Sequence, residues 1–336
     1  MRYSVVIPSY GRLGEPEVVR RIVLAAEELG YEGGWFADHL ALPDYVTGMI
    51  SPPMLEPLTA CIWALGITER LHLGMDVLVV PYRHPIVVAA TAATAARLSG
   101  GRLVLGVGIG YLVGEFEALG LDPADRAGCT DETLALWRTA WEEPQPLTHP
   151  GPRFPVDGVY LVGPPAAPDP IAAPPLWVGG NVPAAFERAA RFGDGWHPLF
   201  PTPDAYAAGR AAIEERRAAL GITRPFTFSY SGPFGQVLDA PRDWGASAAR
   251  PSPTVAASAQ RPEFNYAPPP PLTASGRPML TGTPDELVDD VTALAEAGVE
   301  HIVLRLWVSA SDLDADGVIN QITRFATDVI PRCEHA

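Results

Sequence analysis

Four short strings between Asp38 and Asn181 carry the residue types most able to do chemistry. Asp38-His39 follows an apolar run. An imidazole there can donate, accept or shuttle a proton near neutral pH, and Asp38 can orient a neighbour or cap the loop; a satisfied structural histidine is the other reading. Gly74-Met75-Asp76-Val77 sets a carboxylate inside LHLGMDVLVV, which otherwise reads as a buried parallel strand. A charge there is costly unless paired. Asp76 is therefore either salt-bridged to an arginine or part of a distorted strand end pressed against a flat ligand. In GVGIGY, the glycines 106, 108 and 110 alternate and share one strand face, leaving either a surface for a planar ring or a narrow packing layer. As a dinucleotide signal the string is weak, because Val113 stands where the later glycine of G-x-G-x-x-G belongs. Val178-Gly179-Gly180-Asn181 ends a fourth strand and leads through Pro183 into an amphipathic stretch, Ala184 to Phe192. A Gly-Gly turn entering a helix N-terminus presents backbone amides to a phosphate, although ordinary strand-to-helix turns also favour glycine.

These strings meet only if their strands run side by side in one direction. The pattern predicts eight strands: Ser4–Pro8, Gly34–Ala37, Leu71–Val79, Leu103–Val107, Leu176–Val178, Gly195–His197, Phe226–Tyr230 and His301–Leu306. Helical stretches fall between most of them, at Glu17–Leu29, Pro57–Ile67, Ile86–Leu98, Asp131–Glu142, Ala184–Phe192, Ala205–Leu220 and Asp285–Ala297. The alternation points to an α/β chain folded as one (β/α)8 TIM barrel over residues 1–336, whose strand C-termini share one mouth; an open sheet is the alternative. Thr283-Pro284-Asp285-Glu286 is a sharp helix start. Two proline-rich segments, Gln145–Pro175 and Asp239–Pro278, interrupt the rhythm as long loop insertions. The second follows the seventh strand, where a lid over the mouth would sit; an inconsequential insertion is the other reading.

Composition narrows the chemistry. The 24 basic side chains are all arginine. With no lysine, a Walker-type phosphate lysine, a Schiff base and a lysine general base are excluded. A net charge of −15 argues against nucleic acid and anionic membranes as partners. Cys61, Cys129 and Cys333 have neither zinc-site nor disulfide-framework spacing, so no metal is expected. No apolar run reaches membrane-span length and the chain opens directly on a strand, which predicts a cytoplasmic protein.

The strings FADHL, ERLHLGMDVLVVPYRHPIVVAATAATAARLSGGRLVLGVGIGY followed by GEFEALG, and PPLWVGGN…AARFGDGWHP together resemble the bacterial luciferase-like monooxygenase superfamily, and within it the branch of oxidoreductases using the deazaflavin coenzyme F420. The resemblance runs from Met1 to Pro198, with weaker support near the C-terminus. It implies a (β/α)8 barrel with the cofactor at the C-terminal mouth and His39 beside the ring. It also implies a non-prolyl cis peptide at Asp76-Val77 behind the ring, the phosphate turn at Gly179-Gly180-Asn181, and the strand end Gly108, Gly110, Tyr111 at the cofactor.

On that basis His39 and Tyr111 are the expected catalytic residues. Cofactor contacts are expected from Asp38, His39, Gly74, Met75, Asp76, Val77, Gly108, Gly110, Tyr111, Val178, Gly179, Gly180 and Asn181. Arg12 and Arg83 are candidates to receive an anionic cofactor tail. The expected activity is hydride transfer between reduced deazaflavin and an organic substrate, with reduction of a C=C, C=N or C=O bond. An FMN-dependent monooxygenase using O2 and a partner flavin reductase is a second reading. A non-catalytic protein that binds a flavin-type cofactor is a third. Family members that oxidise sugar phosphates place a glutamate directly after the GxG; Tyr111 stands there in this chain, and that substitution, with the absence of lysine, disfavours a sugar phosphate. Trp35, Met49, Met54 and Tyr111 suggest a hydrophobic or peptide-like substrate, unless they are core. A homodimer served by a separate cofactor reductase is the family expectation.

Overall fold

The computed structural model describes residues 1–47, 50–163, 173–244, 271–307 and 314–334. The barrel strands are β1 (Arg2–Val6), β2 (Gly33–Phe36), β3 (His72–Met75), β4 (Leu78–Val79), β5 (Leu103–Gly108), β8 (Leu176–Val178), β9 (Gly195–Trp196), β10 (Thr227–Phe234) and β13 (His301–Arg305). They pair in parallel in the order β3-β2-β1-β13-β10-β9-β8-β5-β4, and β3 also pairs with β5, which closes the ring. β3 and β4 are successive pieces of one stave, so the barrel has eight staves, as the pattern predicts. The expected continuous strand Leu71–Val79 is interrupted where the Asp76-Val77 peptide bond is cis. The seventh strand runs on to Phe234, beyond its expected end at Tyr230.

Proline places the helix starts. The helices Pro16–Glu28, Pro57–Ile67, Pro85–Leu98, Pro183–Phe192, Pro203–Ala219 and Pro284–Glu296 all open on it, a position whose amide has no intrahelical partner. Thr283 and Glu286 complete a capping box on the last of these. The short helix Val113–Ala118, directly after β5, and the C-terminal helix Ala315–Arg324 go beyond the predicted elements.

The two insertions differ in place. Gln145–Pro175 contains an antiparallel hairpin, β6 (Leu147–His149) and β7 (Val156–Val159). Its described part is held to the outer helices: Arg153 pairs with Asp125 and Glu132 at the start of the helix Arg126–Glu142, while Arg97, near the end of the helix Pro85–Leu98, donates to the Gly163 carbonyl; residues 164–172 lie outside the described residues. In the second insertion, residues 245–270 lie outside the description, and with them the test of a lid. Its described flanks are held by pairing of β11 (Gln236–Val237) with β12 (Thr281–Gly282) and by a bidentate Arg277–Asp290 pair. No described helix is long and apolar enough to cross a membrane.

Two indoles fill the barrel. Trp35 and Trp177 stack with centroids 5.0 Å apart, among Val6, Val104 and Val303. His301 lies beneath them, buried, with Nε2 2.7 Å from the Ser4 hydroxyl and the Trp177 ring edge-on at 5.2 Å. Burial first, then the charges of Arg2, His197 and His72, hold its pKa well below 6.5. Native His301 is therefore neutral, while in the unfolded chain it binds a proton near its ordinary pKa. Its contribution is fully present above about pH 6.5 and is lost below, by about 1.4 kcal/mol per pH unit. The stability difference between wild type and His301→Gln, measured by urea unfolding, should stay flat above pH 7 and shift against the wild type by that slope between pH 6.5 and 5. A gap that stays constant across the range refutes this.

Candidate active site

All eight staves deliver their C-terminal ends to one mouth, as parallel closure requires. Its floor is polar. Asp76, on the third stave, reaches into the barrel, where its carboxylate pairs with Arg305 from β13, accepts from Ser231 on β10 at 3.0 Å, and lies 2.9 Å from His197 Nε2 beyond β9. His197 Nδ1 is 2.8 Å from the Ser229 hydroxyl, and Arg305 also reaches Ser231 and the Gly232 carbonyl. Every one of these side chains is buried. Burial pushes the Asp76 pKa up, but Arg305 and His197 outweigh it and bring the pKa down to about 2. The salt bridge of the first reading of Asp76 is observed, and the strand end is also distorted, at the cis bond that follows it. The Asp76 carboxylate is buried and fully committed to these partners.

The glycines divide. A side chain on Gly74 would meet the Trp35 ring at 2.7 Å, and one on Gly106 would meet the Met75 carbonyl at 2.0 Å and Trp35 at 3.3 Å. These two are the packing layer around an indole, and they offer no bare surface at the mouth. Trp35 itself is barrel core, the second of the two readings open to it; Met49 lies outside the described residues. Gly110, at φ +79°, turns the chain against Val79 and Phe116. Higher up, Val77 is half-buried and lies between Gly108 and Gly179, whose side chains, if present, would stand 2.6 and 3.4 Å from its methyls. Val77, Gly108 and Gly179 thus make a flat apolar ledge that exists because two staves lack Cβ atoms. Met75 and Val178 are buried beneath it.

Beside the ledge, residues 180–184 are exposed and begin the helix Pro183–Phe192, which has no side-chain cap. Gly180 takes φ +104°, and a Cβ there would strike Ala185 at 2.8 Å. Asn181 and Trp196 pin the turn through the carbonyls of Leu199 and Gly180. An uncapped helix N-terminus with a bare turn is the donor set an anion requires.

His39 and Tyr111, from different staves, come together edge to face with ring centroids 6.0 Å apart. Asp38 does not share their surface: it is bidentate to Arg83 at 2.7 and 2.8 Å and accepts the Val79 amide at 2.8 Å. It joins β2 to the third stave. Arg83 is thereby committed to Asp38 and Glu56, which leaves Arg12, exposed in the turn Gly11–Gly14, as the other arginine named for an anionic tail.

One residue at the mouth escaped the sequence reading. Glu115, in the helix Val113–Ala118, is fully buried behind His39, its Oε2 2.8 Å from His39 Nδ1. An acid within the apolar run LVGEFEALG is the signal that could have singled it out.

An eight-staved parallel barrel that gathers a histidine, an apolar ledge and an uncapped helix start at one mouth is a (β/α)8 barrel with its candidate site at the C-terminal ends of the strands. Residues 1–235 match the family model "Luciferase-like monooxygenase", and the chain belongs to that family. It is 31% identical to an F420-dependent glucose-6-phosphate dehydrogenase of Beutenbergia cavernae, over 94% of this chain and 93% of that one. Among solved structures, an F420-dependent secondary alcohol dehydrogenase in complex with an F420-acetone adduct superposes with a TM-score of 0.75 at 20% identity, covering 99% of this chain and 98% of that one. A monooxygenase from Streptomyces bottropensis superposes with a TM-score of 0.76 at 21% identity, covering 99% of both chains. These structural likenesses carry the fold.

Breaking the floor should be costly. Asp76→Asn leaves Arg305 and His197 buried without their anion, and a loss of roughly 3–5 kcal/mol is expected. In the wild type the Asp76 contribution is present above about pH 4 and fades as pH falls toward 2. Equilibrium unfolding of both proteins at pH 7 measures the loss; a change under 1 kcal/mol refutes the role.

Proposed function

We propose that this protein is an F420-dependent oxidoreductase that interconverts a carbonyl and an alcohol, or reduces a related C=N or C=C bond, on a small organic substrate. The observation that carries the reading is the convergence of His39 and Tyr111 next to the Val77–Gly108–Gly179 ledge, with the uncapped helix start at its edge. The ledge fits a flat heterocycle because half-buried Val77 seats its methyls against the bare backbone of Gly108 and Gly179 and leaves an apolar face at the mouth. The turn at Gly180 fits the cofactor's phosphate because it is exposed and leads into a helix start with no side-chain cap. When bound, F420 would supply a carbon centre that gives and takes hydride but activates oxygen poorly.

The protein's own residues would do the rest. Val77, Gly108 and Gly179 support the ring. Gly180, Asn181 and the following helix start hold the phosphate by their amides. His39 moves the proton that accompanies hydride transfer, and Tyr111 places its ring over the imidazole and closes the pocket on that side. Tyr111 in the position after GxG, together with a chain devoid of lysine, supports a substrate other than a sugar phosphate. A homodimer in the cytoplasm, with a separate enzyme that recycles the cofactor, belongs to the same reading.

Equilibrium binding tests it directly. The purified protein should retain F420 and bind FMN at least tenfold more weakly, and should not raise oxygen uptake by reduced FMN above the protein-free rate. Preferential FMN retention with oxygen uptake would overturn the proposal in favour of a monooxygenase; tight F420 binding with no turnover on ketones, imines, activated alkenes or secondary alcohols would favour a binding protein. His39→Gln should lower kcat by roughly 10²–10⁴-fold, the range for general acid–base groups, and leave F420 affinity within threefold.

A further inference from the structure

We propose that Glu115 is a positioning residue that fixes His39 as the tautomer protonated on Nδ1, so that Nε2 is the nitrogen that exchanges a proton with the substrate. The claim rests on the proposed acid–base role of His39 for its catalytic meaning, but the tautomer itself follows from hydrogen-bond geometry around Glu115.

Four donors converge on that one carboxylate. Oε1 accepts the amides of Leu40 and Ala41 at 2.8 and 3.1 Å, and Oε2 lies 2.8 Å from His39 Nδ1 and accepts the Tyr82 hydroxyl at 3.1 Å. Glu115 is fully buried, so it stays charged only if these contacts repay its desolvation. They do: burial pushes its pKa up, but the hydrogen bond from His39, its charge when the ring is protonated, and the amides of Ala41 and Leu40 outweigh it and hold the pKa below the ordinary carboxylate value, and the four donors stay on the carboxylate when the ring is neutral. An ionised carboxylate only accepts. Burial and the neighbouring carboxylate drive the Tyr82 phenol far above its ordinary pKa, so it keeps its proton and donates it. Nδ1 must then carry a hydrogen as well. Nε2 has no hydrogen-bond partner among the described residues. It is left to hold a lone pair or, when charged, a second proton.

The elements enforce this. Leu40 and Ala41 immediately follow His39, so the same carboxylate that orients the ring also clamps the loop carrying it. Tyr82 sits in the turn after β4 and donates to the same carboxylate oxygen that His39 meets. Its own ring is packed edge-on against Phe116, the residue following Glu115, at 5.0 Å. A glutamine in place of Glu115 can still accept through its oxygen, but its NH2 can offer a donor toward Nδ1, which would draw the hydrogen to Nε2 and leave the wrong nitrogen facing the substrate.

Long-range 1H–15N spectra of the histidine rings in the unliganded protein, with His39 assigned by comparison with His39→Gln, read the tautomer without any cofactor. The expected pattern in the wild type, under conditions where the ring is neutral, is a protonated Nδ1 and a bare Nε2. A neutral ring protonated on Nε2 overturns the proposal, whatever the variants do. Glu115→Gln should shift the neutral population toward Nε2–H and lower kcat by roughly 10²–10³-fold, with KM and F420 affinity within threefold. Glu115→Gln with unchanged kcat, or with lost kcat but an unchanged tautomer, also overturns it. If Glu115→Gln fails to fold, Tyr82→Phe removes a single donor and keeps the carboxylate; it should preserve the Nδ1–H pattern and keep kcat within tenfold, and a switched tautomer there counts against the assignment. The ring spectra are indifferent to which cofactor binds. Failure of F420 to bind would therefore remove the proposed activity and leave the tautomer result standing.

Discussion

The interior of an eight-staved barrel has a limited cross-section, and here Trp35 and Trp177, stacked at 5.0 Å, take up most of one layer. Everything around that layer yields to their volume. Gly74 and Gly106 give way to Trp35, and Gly195 gives way to Trp177, whose ring would stand 2.6 Å from a Cβ there. Large aromatics inside so small a barrel are tolerated only where facing positions have no side chain. The staves bearing these glycines also carry the mouth, so this packing sets the level at which a ligand surface can begin.

Above the indoles the barrel is closed by charge. Asp76, Arg305, His197, Ser229 and Ser231 come from four staves and bind across the interior. Such a network is costly to build and specific once built, since each member satisfies another. It ties the third stave, at its cis bond, to strands on the far side of the ring. Val77, next in sequence, is thereby presented upward as part of the ledge. The stacking of Trp35 on His197, at 4.9 Å and 24°, joins the two layers into one plug.

The mouth chemistry depends on a different device. His39 lies at the end of the second stave and Tyr111 just after the fifth strand, yet a single buried carboxylate from the helix Val113–Ala118 locks the histidine loop beside the tyrosine. Asp38 does the companion task on the other side, holding Arg83 and the Val79 amide. The acid next to His39 in sequence is thus a structural clamp, whereas the acid 76 residues away is the one that touches the imidazole.

Much of this was legible in the chain, and the exceptions have physical causes. Alternating apolar runs and proline-led helix starts are local signals, and they yielded eight strands and the helices between them. The Gly-Gly turn was also local: both its φ and its uncapped helix follow from neighbours a few residues away. Asp76 was recognisable as anomalous, because a lone carboxylate in an apolar strand must find a partner, but sequence could not say that the partner was Arg305, 229 residues distant. The glycines of GVGIGY were visible and ambiguous, since a missing side chain looks the same whether a ligand or a tryptophan fills the gap. Glu115 was hidden because its value lies in three contacts near residue 40 and one at residue 82.

Residue types and short runs were enough to bound the available chemistry: a barrel rhythm, a histidine at a strand end, a Gly-Gly turn ahead of a helix, and no lysine for any step that needs one. These depend on residue type and short-range periodicity. Folding settled which bare backbone lies against an indole, which acid contacts the imidazole and which braces an arginine, and where a stray buried charge is neutralised. Those outcomes are set by contacts between residues far apart in the chain, brought together when the ring of strands closes.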